Sequence, residues 1–167
     1  MATINFTLQG IEDEDEIHLA LDKIRGRYCR WAKEPGKKRG GRPFKGALIW
    51  ELANTGHYAA HLFLHVPVTR IERFRLDLAK WVAKETKSEL APQTLDIKSV
   101  YNEFGLRKYL LKGLDPKFCP LYRIRHVPQG KIRGKRFGYT KNLGPSECLK
   151  HGTKRPYRWP NHAETNI

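Results

Sequence analysis

Acidic residues, paired cysteines and long apolar runs are what this chain has little of. Its 17 Asp and Glu stand against 32 Lys and Arg, a formal net charge of +15 and a sequence pI near 9.9. That balance argues against an acidic partner and for a polyanion, nucleic acid before any other. The three cysteines, Cys29, Cys119 and Cys148, are odd in number, far apart and without a Cys-x-x-Cys pair. Neither a disulfide framework nor a thiolate zinc site is indicated, which fits a reducing compartment. No apolar run approaches about 18 residues, and no basic-then-apolar signal opens the chain, so neither a membrane span nor ordinary secretion is expected. A Gly-x-x-x-x-Gly-Lys-Ser/Thr phosphate loop is also missing, which leaves duplex unwinding to a separate helicase.

What is there reads as one ordinary domain of 167 residues, with a folded part over 1–116 and a basic extension over 117–167. Thr3 to Leu8 mixes β-branched and aromatic residues with polar alternation and predicts a first strand. The acidic run Glu12 to Glu16 suits the positive end of a helix dipole, and Ile17, Leu21, Ile24, Tyr28 and Trp31 continue at helical spacing to about Ala32. Lys33 to Lys45 holds five glycines or prolines and no apolar period, a basic loop. Ala47 to Leu52, the turn at 53–56 and His57 to Val66 form a hairpin. Thr69-Arg70-Ile71-Glu72 has the capping-box pattern and opens a helix whose stripe Ile71, Phe74, Leu78, Trp81 and Val82 faces the core. Leu95 to Tyr101 alternates as another strand, and Phe104 to Leu114 carries a third helix. The order predicts an α+β fold: an antiparallel sheet of four to five strands with helices returning on one face. Beyond Lys117 the Gly- and Pro-rich tail is expected to add little core.

Strand alternation puts 57, 59, 61, 63 and 65 on one face, and Glu51 on the partner strand can share it with His61. A carboxylate with imidazoles, leaving positions open for a substrate oxygen, suits Mg or Mn. Two histidines at i and i+2 would meet such an ion; here the first position is Ala59. Tyr109-Leu110-Leu111-Lys112 follows, with the tyrosine and lysine one helical turn apart.

The run Trp50-Glu51, Gly56 and His61-Leu62-Phe63-Leu64-His65-Val66-Pro67, followed by Tyr109-x-x-Lys112, resembles the HUH endonucleases, the single-tyrosine replication initiators and nickases. The resemblance covers about residues 1–115 and implies a ferredoxin- or RRM-like core. Glu51 matches the family's metal-binding acid, His61 its second histidine, Tyr109 its nucleophile and Lys112 the basic companion. It implies Mn or Mg as cofactor and single-stranded DNA, at an origin or hairpin, as partner. It also implies a cytoplasmic protein encoded by a bacterium, phage or plasmid, nicking and rejoining DNA through a 5′-phosphotyrosine to start rolling-circle replication or transfer of a mobile element. Ala59 departs from the pattern, and three readings stand: an engineered His-to-Ala change, natural loss of cleavage, or His57 as substitute ligand. The rival from another class is a noncatalytic binder of single-stranded or structured nucleic acid.

Phosphate-neutralising candidates are Lys37, Lys38, Arg39 and Arg42 in the loop and Arg133, Lys135, Arg136 and Lys141 in the tail. Phe137, Tyr139 and Trp159 are candidates to stack on unpaired bases. His65 and Asp96 are placed as supporting or solvated residues, Tyr101 as a strand-end residue, and His18, His126, His151 and His162 as solvent-facing.

Overall fold

A computed structural model describes residues 1–34 and 46–144. Strand β1 (Ala2–Asn5) leads to helix α1 (Glu14–Lys33), the hairpin strands β2 (Leu48–Asn54) and β3 (Tyr58–Leu64), and helix α2 (Ile71–Thr86). Then come β4 (Leu95–Ile97), α3 (Glu103–Leu111), the short α4 (Cys119–Tyr122) and β5 (Phe137–Tyr139). The fold is α+β, with five antiparallel strands in the order β4-β1-β3-β2-β5.

Period-2 alternation builds the core. Ile4, Leu48, Trp50, Leu52, Ala60 and Leu62 leave one sheet face and are buried against Ile17, Leu21 and Ile24 of α1 and Phe74, Leu78 and Val82 of α2. Full burial of one such aliphatic side chain is worth roughly 1.5–3 kcal/mol. Asp13 caps α1, its carboxylate accepting from the Glu16 amide at 2.9 Å, and Glu14, Asp15 and Glu16 fill the first turn where the helix dipole favours them. The Tyr28 hydroxyl donates to the carbonyls of Ala47 (3.1 Å) and His65 (2.7 Å), tying the open end of the hairpin to α1.

Four sequence expectations are corrected. The capping box at Thr69 does not form: Val68–Arg70 is a 3-10 turn, and α2 begins at Ile71 with no side-chain cap. The strand expected over 95–101 ends at Ile97, leaving Tyr101 fully outside at 92% exposure. The helices do not all return to one face, because α3 lies on the side opposite α1 and α2, with Tyr109 against His61 and Phe63. The tail also builds more than expected, since β5 pairs with β2 through Ile49–Tyr139, Trp50–Gly138 and Glu51–Phe137. Gly138 permits this: a β-carbon there would stand 2.5 Å from Nε1 of Trp50, so only glycine lets β5 lie on that ring. Among the described residues no helix is long and apolar enough to cross a membrane.

Candidate active site on the open face of the sheet

Glu51 and His61 are direct partners across the β2–β3 ladder, so both side chains leave the same face, away from α1 and α2. Both are buried, at 3% and 9% exposure, Glu51 under the chain between α3 and β5 and His61 under Tyr109 of α3. A β-carbon on Gly113 would stand 2.7 Å from Cγ of Gln129 and 3.9 Å from Oε1 of Glu51, which measures how closely that segment lies on the carboxylate. The Asn54 amide donates to the Gln129 carbonyl at 3.0 Å and fixes it there.

Helix α3, capped by Asn102 accepting from the Gly105 amide, presents Tyr109 to this face. Tyr109 Oη lies 2.9 Å from Nε2 of His61, with the rings edge to face at 5.2 Å. On the other side of the imidazole, Thr3 Oγ1 lies 3.2 Å from Nδ1. With its proton on Nδ1, the ring donates to Thr3 and accepts from Tyr109. Lys112 closes the group, its Nζ 3.6 Å from the Tyr109 ring centroid.

Burial dominates the titration of each group. It pushes His61 down to about 4, with the Lys112 charge adding to the effect, so the imidazole is neutral at pH 7. It raises the Glu51 carboxyl, against the opposing pull of Lys112 and Arg136. It raises the Tyr109 phenol, and Glu51 raises it further. Burial lowers Lys112, with Glu51 restoring part of the loss and Arg136 adding to it. The ground state is therefore a protonated phenol on a neutral imidazole, beside one buried acid.

Ala59 sits on the same face, paired with Ala53 on β2 and Asn5 on β1, one alternation step from His61. A histidine there would reach the side of His61 and Glu51. His57 is exposed in the hairpin turn immediately before β3. Among the described residues no group of three or more His, Cys, Asp or Glu side chains is placed to hold a metal ion. Glu51 Oε2 is buried without a hydrogen-bond partner, the acceptor a cation would need. The second donor, His61 Nε2, is engaged by Tyr109, and the third position is a methyl group. Of the ligand set that the resemblance implies, Glu51 and His61 are in place and the position of the first histidine is a methyl group.

Of the other expected site residues, Phe137 and Tyr139 leave β5 toward the same open face, half exposed, with centroids 6.4 Å apart. Lys135 and Lys141 are exposed. Arg133 is engaged by Asp15 at 2.6 Å, and its amide donates to Glu14. Arg136 is turned inward, donating to the carbonyls of Gln129 (2.5 Å) and Gly130 (3.2 Å). Asp96 pairs with Lys98 at 2.6 Å. His18 and His126 are not free in solvent, lying 2.9 Å from the carbonyls of Arg133 and Leu114. Lys37, Lys38, Arg39, Arg42, Trp159, His151 and His162 lie outside the described residues. Thr3, Gly113 and Gln129 were missed by sequence reasoning. Thr3 alone had a signal, as the polar alternate of a strand.

Compared with family models, curated proteins and solved structures, the chain shows no match in any of the three.

Proposed function

We propose that this chain has the site of an HUH-type single-tyrosine DNA transesterase with its metal centre disabled at Ala59. The observation that carries the reading is the 2.9 Å contact between Tyr109 Oη and His61 Nε2, beside a buried Glu51 that is the direct cross-strand partner of His61. A structural tyrosine needs neither a buried orphan carboxylate nor a cation over its ring.

In the proposed reaction Tyr109 Oη attacks the phosphorus of a single-stranded phosphodiester. A Tyr–O–P bond forms to the 5′ side, the P–O3′ bond breaks, the phenol proton leaves to solvent water, and the leaving 3′ oxygen takes a proton from water. Lys112 offsets negative charge gathering on the phenol oxygen and phosphate. The reverse reaction rejoins the ends without further energy input. As the chain stands, burial and Glu51 both hold the phenol in its protonated form, which opposes attack.

The second reading, a noncatalytic nucleic-acid binder, draws on Ala59 and on the exposed Phe137–Tyr139 pair, which is suited to base stacking. A denaturing gel with labelled single-stranded DNA and Mn separates the two. The transesterase reading expects a covalent adduct from Ala59→His and none from Ala59→His with Tyr109→Phe. Tight binding with no adduct from either variant overturns it in favour of the binder.

A further inference from the structure

On the side of the molecule away from Tyr109, α1 and α2 leave an open groove between them of about 560 Å³. Lys23, Arg27, Arg30, Lys84 and Lys87 line it, against two carboxylates, Asp22 and Glu85. Both acids already have partners. Glu85 is held by Arg27 and by Lys23 at 3.7 Å, and Asp22 by Arg25 at 2.6 Å. Arg30, Lys84 and Lys87 are exposed and, among the described residues, have no carboxylate within ion-pair distance. Three like charges gathered around one cleft give it a positive potential that attracts anions.

The floor of the groove is Gly26, in the middle of a 20-residue helix. Glycine costs a helix interior about 1 kcal/mol relative to alanine. Here it leaves open floor, with the Arg30 guanidinium 3.5 Å from where a β-carbon would stand. No aromatic ring lines the groove, so it offers phosphate contacts without a platform for bases. Past Arg27 and Arg30 the surface meets Glu34 and the Arg73–Asp77 ion pair, with Trp31 buried and Trp81 half-buried beside them.

We propose that this groove is a second nucleic-acid site, taking the phosphodiester backbone of duplex DNA while the opposite face takes a single strand. Cations without stacking partners suit a duplex, whose bases are already stacked and whose phosphates are the accessible groups. The site does not depend on the chemistry at Tyr109, and its test does not use cleavage.

The test compares this chain with the triple variant Arg30→Glu, Lys84→Glu, Lys87→Glu by fluorescence anisotropy. The probes are a duplex of about 20 base pairs and a thymidine oligonucleotide of about 12 residues, at several salt concentrations. Duplex affinity is expected to fall at least about tenfold near 0.15 M salt, with the log–log salt slope reduced by about 2–3. The oligonucleotide is expected to change by less than about twofold, because charges on the far side lie beyond the Debye length of about 8 Å. Gly26→Leu, which fills the floor, leaves the charge unchanged and raises helix propensity, is expected to weaken duplex binding alone. Unchanged duplex affinity in both variants, or equal losses for duplex and oligonucleotide, overturns the proposal.

Discussion

On β2 the residues Leu48, Trp50 and Leu52 turn toward α1 and α2, whereas Ile49, Glu51 and Ala53, one step out of phase, turn away from them. On β3 the same division separates Ala60 and Leu62 from Ala59, His61 and Phe63. The helix-covered face is a continuous apolar core. The open face buries an acid whose Oε2 has no partner and an imidazole held neutral, under the short helix α3 and the chain that follows it. One pair of strands thus carries two designs, and period-2 geometry keeps them independent: a residue added to the site is not subtracted from the core. The first face is built for stability, and the second buries titratable groups at some cost to it.

The sharpest test of that division truncates neighbouring residues on β3. Leu62→Ala removes a fully buried core side chain and is expected to cost about 2–5 kcal/mol. His61→Ala, its neighbour on the other face, is expected to cost less than about 1 kcal/mol, because the cover can settle and the burial of a polar ring is relieved. Urea unfolding checks both, and similar losses would erase the distinction between the faces.

Acid is expected to act on the open face next. His61 titrates near 4 in the fold against about 6.5 in an unfolded chain, so the unfolded chain takes the proton first. The stability this confers is complete above about pH 6.5 and is lost as pH falls toward 4. Its ceiling is roughly 3 kcal/mol. The surrounding groups qualify the slope. Glu51, with its carboxyl raised, takes a proton in the fold before the unfolded chain does and so works in the opposite direction. Between pH 7 and 4.5 this chain should lose about 1–3 kcal/mol more than His61→Asn. Equal losses would mean that the imidazole meets protons freely in the fold.

Where the two faces join, at the β5 edge, Gly138→Ala would press a methyl group into Trp50. Such overpacking costs about 1–3 kcal/mol. Because β5 also supplies Phe137 and Tyr139, the same change is expected to weaken single-stranded DNA binding, read by anisotropy, whereas Phe137→Leu would weaken binding with little change in stability.

That edge is also where the sequence was least legible. The β2–β3 hairpin, the α1 and α2 stripes and the shared face of Glu51 and His61 follow from local periodicity, which a single chain displays in full. Strand β5 does not: Phe137-Gly138-Tyr139 is three residues in a basic, glycine-rich run, and what makes it a strand is the ladder offered by β2 and the room left over Trp50. Its formation depends on tertiary structure, so no local pattern announces it. The same holds for Gln129, buried because it lies against Gly113 and Glu51, and for Arg136, which as a sequence reads as a phosphate contact and in the fold is held by two carbonyls of its own loop. The α2 start shows the converse. The Thr69 capping pattern is present in the sequence, but the 3-10 turn after Pro67 takes up that segment before the helix begins.

The smallest expected effect carries the most information about cost. Glu51→Gln keeps the shape of the side chain, removes the buried charge and supplies an amide in place of the unpartnered oxygen. Since burial outweighs the attraction of Lys112 and Arg136 in raising this carboxyl, loss of the charge is expected to stabilise the fold by about 1 kcal/mol at pH 7. The gain should vanish in acid, where the native carboxyl is already protonated, and that pH dependence separates relief of a buried charge from a general packing improvement. Paired with Ala59→His, the same substitution should abolish the covalent adduct while leaving the protein more stable than Ala59→His alone. If Glu51→Gln instead destabilised the fold at pH 7, the acid would be a structural member of the sheet, held by Lys112 and Arg136, and the open face would be as much a core as the one opposite.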